Sequence, residues 1–194
     1  SSNWSTIWLA CGGGGPLTND MDLTSFGAPP LIIAPVVVDN GASAALVQTG
    51  GGTGRTNVFR GFRFTSSNAT ATVTTGANQL RFQECVIRTS HATGAIFSAA
   101  AAGLEFDHCY LEAAAGSYVI NAVGSAFHAK NCMIRGNILY NNPVTLENCV
   151  WSSSANPIMD FDPGATVAGN KRLINCKIYQ TPAAADGVQL GSGG

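Results

Sequence analysis

One eight-residue pattern recurs along this chain and restricts its architecture more than any other feature. It reads Leu80-x-Phe82-x-x-Cys85-x-Ile87, then Leu104-x-Phe106-x-x-Cys109-x-Leu111, Phe127-x-Ala129-x-x-Cys132-x-Ile134 and Val144-x-Leu146-x-x-Cys149-x-Trp151, with a fifth copy around Leu173-x-x-Cys176-x-Ile178. A degenerate earlier copy, Val58 to Phe64, places Phe62 where the cysteine belongs. Successive copies are spaced by 23, 24, 23, 17 and 27 residues. Self-similarity at such a period marks a chain that stacks equivalent supersecondary units on one another.

A second, shorter element lies between the copies: Ala45 to Gln48, Ala71 to Thr74, Ala95 to Ser98, Tyr118 to Asn121, Ile138 to Asn141, Ile158 to Asp160 and Gly187 to Leu190. Each unit therefore holds at least two short strands separated by Gly, Ser and Asn turns. Apolar residues alternate at i and i+2, so one side of each strand faces a core. No segment supplies the ten or more residues at period 3.6 that a helical repeat needs. The residue before each cysteine is Glu84, His108, Asn131, Asn148 or Asn175. Asn and His tolerate a left-handed backbone at a tight corner; Glu84 departs from that pattern.

The Leu-x-Phe-x-x-Cys-x-Ile units, with Asn before Cys in three of five copies, resemble the right-handed parallel β-helix of the pectate-lyase-like superfamily. The resemblance covers roughly residues 41–190 and implies an all-β fold, a right-handed parallel β-helix (solenoid) of about seven coils, about 33 Å long at the strand spacing. Residues 1–40 form an N-terminal arm or cap in this reading, and 191–194 a flexible tail. The superfamily includes polysaccharide lyases, glycosidases and the tailspikes and other surface proteins of bacteriophages, so the fold does not choose a function.

Residues 1–40 lack the repeat, contain Gly12 to Gly15, Pro16, Pro29 and Pro30, and carry no basic residue. Glycine gives a hinge and proline excludes a helix beyond it. Ahead of the hinge stand Trp4, Ile7 and Trp8. They fit either a cap on the open end of the stack or an attachment arm whose aromatics insert into a partner. Trp8-Leu9-Ala10-Cys11 lacks the basic leader of a lipoprotein signal and reads as part of a mature or leaderless chain.

Ten Lys and Arg against 11 Asp and Glu give a net charge of -1. No overall basic field draws the chain to nucleic acid or an anionic membrane. The longest apolar run, Leu31 to Val38, is broken by Pro35 and is far shorter than the roughly 20 residues of a spanning helix. Of the six cysteines, Cys85, Cys109, Cys132, Cys149 and Cys176 share one position in the repeat and read as a structural ladder of buried free thiols. Adjacent coils allow a disulfide without implying one.

Chemistry-bearing residues are few. Asp160 and Asp162, like Glu105 and Asp107, are two apart and would share a strand face. Ser98, Asn121, Asn141 and Asp160 form a column that, with Asp162, is a candidate saccharide groove; a plain solvent-facing or turn ladder is the other reading. His91, His108 and His128 lack metal-site spacing, and no cofactor or metal is expected. His108 reads as a turn residue, Gly50 to Arg55 as a turn and not a phosphate loop, and Arg60, Arg63, Arg81 and Arg88 as a solvated face. No hydrolase signature of the superfamily is matched.

These observations lead to the expectation of a non-catalytic structural protein of a bacteriophage particle, a capsid decoration or cement protein or a spike. It would be made in the host cytoplasm and placed on the virion surface. The resemblance implies a homotrimer, attached through its arm to the major capsid protein or another virion component. A carbohydrate-active protein, either a lyase or glycosidase or a saccharide-binding module that meets host surface polysaccharide, is the alternative.

Overall fold

The structure, a computed structural model, describes residues 17–18, 32–47, 56–74, 79–98, 103–114, 117–122, 126–140, 143–153, 159–160, 171–180 and 188–189. These residues form strands and connections without a helix, and every strand runs parallel to its neighbours. The fold is an all-β parallel solenoid. Each turn adds one strand to each of three faces. The first face holds Gln79–Gln83, Leu104–Asp107, Phe127–Lys130, Val144–Glu147 and Lys171–Ile174. The second holds Val86–Thr89, Tyr110–Glu112, Met133–Arg135, Val150–Ser153 and Lys177–Gln180. The long strand Thr56–Ser66 pairs with the first strand of both and joins them as one 12-stranded sheet.

The third face is an 8-stranded sheet. Its strands from Leu46–Val47 to Val188–Gln189 fall on the seven short elements read between the repeats. Four consecutive turns, 56–74, 79–98, 103–122 (without 115–116) and 126–140, have a described strand on each of the three faces, against an expectation of about seven coils. The flanking turns add strands but include residues outside the described set. Ile32–Asp39 pairs in parallel with Thr56–Ser66, and Val38 joins the core. The sheet thus reaches into the segment read as an arm or cap.

The corner between the first two faces follows from the residue before each cysteine. Glu84, His108, Asn131, Asn148 and Asn175 have φ of 54°, 53°, 54°, 52° and 50°, the left-handed region, and Gly61 takes the same place with φ 73°. This reversal turns the chain without a loop, so the next residue, Cys or Phe62, points inward. Glu84 adopts the corner despite its type. Its carboxylate reaches back to Arg60 of the preceding turn at 2.7 Å. The three asparagines form a ladder in which Nδ2 of Asn175 donates to Oδ1 of Asn148 (2.8 Å), Asn148 to Asn131 (3.4 Å), and Asn131 to Asp107 (3.2 Å).

The core is a set of registered columns. Phe59, Phe82 and Phe106 stack face to face at 5.4 and 5.3 Å, and Ala129 and Leu146 continue their column. On the second face Phe64, Ile87, Leu111, Ile134 and Trp151 are all buried. Full burial of such side chains contributes about 1.5–3 kcal/mol each. Cys85, Cys109, Cys132 and Cys149 fill the corner column as buried free thiols, and Cys176 is half-buried at the last described turn. Sγ of Cys109 donates to the Phe82 carbonyl, and that of Cys149 to the Ala129 carbonyl, each at 3.4 Å. Contact with the Cys132 sulfur, then with Cys85, and then burial push the Cys109 thiol well up.

The 17-residue interval between Cys132 and Cys149 has a simple cause. Other turns spend several residues between the second and third faces, as at 90–94 and 113–117. Here Met133–Arg135 passes to Asn137–Tyr140 through Gly136 alone, at φ 127°. A side chain at that position would place its Cβ 2.7 Å from the Ala113 Cβ and 3.1 Å from Cγ2 of Val119. Only glycine fits this corner.

Candidate functional site

At this second corner a groove of about 920 Å³ runs along the solenoid. Its floor is made of small residues where the chain leaves the second face, among them Ser66, Ala113, Gly136 and Ser153. The polar side chains at the bend satisfy one another. Ser66 Oγ donates to Thr72 Oγ1 at 3.1 Å, Thr72 Oγ1 to the Arg88 carbonyl at 3.0 Å, and Ser153 Oγ bonds Asn137 Oδ1. Trp151 Nε1 donates to the Gly136 carbonyl at 2.8 Å. The floor is therefore set by packing and bonding beneath it.

One wall is a single outward column whose members pair turn to turn: Asp39, Thr65, Arg88, Glu112, Arg135 and Ser152. At the strand spacing this is about 24 Å of length. Glu112 is gripped from both sides, by Arg88 Nε at 2.8 Å and Arg135 Nη1 at 3.1 Å. Arg135 Nη1 also reaches the Tyr110 hydroxyl at 3.4 Å, and the Arg88 guanidinium lies over the Tyr110 ring at 5.1 Å. Tyr110 first and Glu112 next hold the Arg135 guanidinium above its ordinary range, so it stays charged. Arg63 lines the groove from the neighbouring column. The result is an open, hydroxyl-rich trough with fixed guanidinium groups, suited to holding a polar chain.

Sequence reading did not single out this column. The signal was present: its residues from Thr65 to Ser152 each stand three positions after the corner residue Phe62, Cys85, Cys109, Cys132 or Cys149.

The column read on the third face is only partly in register. Ser98 pairs with Asn121, but Asn121 pairs with Leu139, and Leu139 with Asp160. Leu139 takes the position read for Asn141. Pairing of Tyr118 with Asn137 already sets Asn121 one residue short of Asn141, and an irregularity between Tyr118 and Ile120 absorbs one residue more. Asn141, Asp162, Trp4, Ile7, Trp8, Cys11, the Gly50 to Arg55 turn and the tail 191–194 lie outside the described residues.

Two further carboxylates are paired from turn to turn. Glu105 pairs with Arg81 at 2.6 Å and Glu147 with Lys130 at 3.2 Å. His108 is at the corner, exposed, with Nδ1 2.8 Å from Asp107 Oδ1, while Cys109 beside it is buried. His91 closes a loop: its Nδ1 accepts from the backbone N–H of Thr93 and Gly94 at 3.2 and 3.1 Å. One turn earlier Oδ1 of Asn68 does the same for Thr70 and Ala71 at 2.8 and 2.9 Å. Among the described residues no group of His, Cys, Asp and Glu is arranged to hold a metal ion, and no helix is long and apolar enough to cross a membrane. No protein-family model, no curated protein and no solved structure matches the chain.

Proposed function

We propose that this chain is a non-catalytic structural protein of a bacteriophage particle, a capsid decoration or cement protein or a spike built on a right-handed, pectate-lyase-like β-helix. The observation that carries the structural part is the use made of its glutamates. All four glutamates, Glu84, Glu105, Glu112 and Glu147, are ion-paired to a base on a neighbouring turn. Glycosidic cleavage needs a paired acid and base facing a bond, whereas these groups clamp turn to turn. The virion part is supported by the resemblance of the Leu-x-Phe-x-x-Cys-x-Ile units to phage members of the superfamily. That resemblance also brings the homotrimer and the attachment arm at Trp4, Ile7 and Trp8.

Counting this chain in purified particles by quantitative mass spectrometry tests the proposal. A copy number near that of the shell protein supports decoration, and a few copies per particle support a spike. Absence from particles overturns the virion reading. A second reading, a saccharide-binding module, is favoured by the groove: its hydroxyl and guanidinium lining and its length match a polar polymer better than a compact metabolite. Binding of any oligosaccharide to the purified chain, lost when the groove is filled by Ser152→Trp, tests it.

A further inference from the structure

We infer that the groove is a template for a linear oligosaccharide bearing an acid group on every second sugar. This rests on the saccharide-binding reading above and adds which sugars the site accepts. The wall reads Asp39, Thr65, Arg88, Glu112, Arg135, Ser152, one residue per turn: anion, hydroxyl, cation, anion, cation, hydroxyl. Each step is about 4.8 Å, and an extended β-linked pyranose chain advances by about the same distance per sugar. The two guanidinium groups are thus about 10 Å apart with a carboxylate midway.

Each guanidinium has five N–H donors, and the contacts to Glu112 and Tyr110 use only part of that set. Arg88 and Arg135 keep side-chain exposures of 40% and 57%, so the rest is open to a ligand. A sugar carboxylate opposite either one gains charge-assisted hydrogen bonds, two at once where the fork is free. Opposite Glu112 the requirement inverts. Its carboxylate accepts from sugar hydroxyls and repels a second acid, so the middle sugar is neutral. The ion pairs with Glu112 and the contacts with Tyr110 bias both guanidinium groups toward the wall before ligand arrives, which lowers the ordering cost of binding. Gly136 and Ala113 leave the floor bare, so a ring can approach the wall. Arg63 adds positive potential beside the first steps.

The test is fluorescence anisotropy at low salt with three labelled octasaccharides. One alternates glucuronate with N-acetylhexosamine, one is an all-galacturonate chain, and one is a neutral glucan. The alternating chain is expected to bind at least about tenfold tighter than the other two. Arg88→Gln and Arg135→Gln should each weaken it by about tenfold, with unchanged far-UV circular dichroism as the check on folding. Arg88→Lys, which keeps the charge and loses the fork, should fall between. Glu112→Gln should raise affinity for the all-galacturonate chain and narrow the difference. Equal binding of the neutral or all-galacturonate chain overturns the template and leaves the saccharide reading standing. No binding by any of the three overturns both.

Discussion

Replacing Gly136 by alanine probes the shortest turn of the solenoid. Two costs follow from the geometry. The backbone sits at φ 127°, a region that is essentially glycine-only, and holding another residue there costs of order 1–3 kcal/mol. The new Cβ would also stand 2.7 Å from the Ala113 Cβ, 3.1 Å from Val119 Cγ2 and 3.4 Å from the Ser117 carbonyl oxygen. Neither alkyl neighbour is a flexible chain end, so this overpacking costs about 1–3 kcal/mol more. The sum is about 2–6 kcal/mol. A backbone shift would also strain the Trp151 Nε1 bond to the Gly136 carbonyl and the Gly136 N–H bond to Ser152. Urea unfolding followed by far-UV circular dichroism measures the loss. At a loss of about 3 kcal/mol the midpoint of thermal unfolding should fall by about 6–12 °C. The double variant Ala113→Gly/Gly136→Ala removes the closest contact but not the backbone cost, so it should recover about 1–2 kcal/mol and no more. A Gly136→Ala chain within about 0.5 kcal/mol of the parent would refute this reasoning.

At the first corner, Asn148→Val forces a β-branched residue into the left-handed region and breaks the asparagine ladder, whereas Asn148→Gly only breaks the ladder, as Gly61 fits the same corner. Valine should be worse by about 1–2 kcal/mol in urea unfolding, and equal stabilities would remove the corner argument. His91→Asn should keep native stability because Asn68 closes the preceding loop in the same way, while His91→Ala should lose about 1 kcal/mol; alanine matching asparagine would show that the ring nitrogen does not hold the loop. In the folded chain iodoacetamide should modify Cys176 well before Cys85, Cys109, Cys132 and Cys149, which are buried. Cys109 labelled at the rate of Cys176, read by peptide mass spectrometry, would contradict the buried ladder. Lys171 occupies an inward position in register with Val144, and burial lowers its pKa. A lowered folded-state value means that protonation opposes folding: the cost is fully present below the folded pKa and fades as pH rises toward the unfolded one. Lys171→Met should therefore flatten that alkaline rise, measured by thermal unfolding against pH. An unchanged alkaline profile in that variant would refute the reasoning.

The repeat was enough to establish a parallel solenoid because both of its parts are local. Alternation of apolar residues sets which side of each strand is inward, and a residue tolerant of positive φ sets the corner; neither needs a distant partner. Cys85 to Cys149 were for the same reason legible as buried thiols. What escaped the sequence depended on register between turns. Arg88, Glu112 and Arg135 lie 24 and 23 residues apart, and although each stands three positions after a repeat cysteine, that offset alone does not show that their charges meet across the turns. Asn141 looked equivalent to Asn121 in a one-dimensional alignment, yet the pairing of Tyr118 with Asn137 and the irregularity at Tyr118 to Ile120 together bring Leu139 into that place. The groove floor is built where successive turns leave the second face, by residues such as Ser66, Ala113, Gly136 and Ser153 that are far apart in sequence. Sequence determined the inward and outward sides of each turn, since that choice is made by solvent and sterics residue by residue. Tertiary structure decided which outward residues meet, because stacking turns of unequal length sets the register that brings charges within bonding distance.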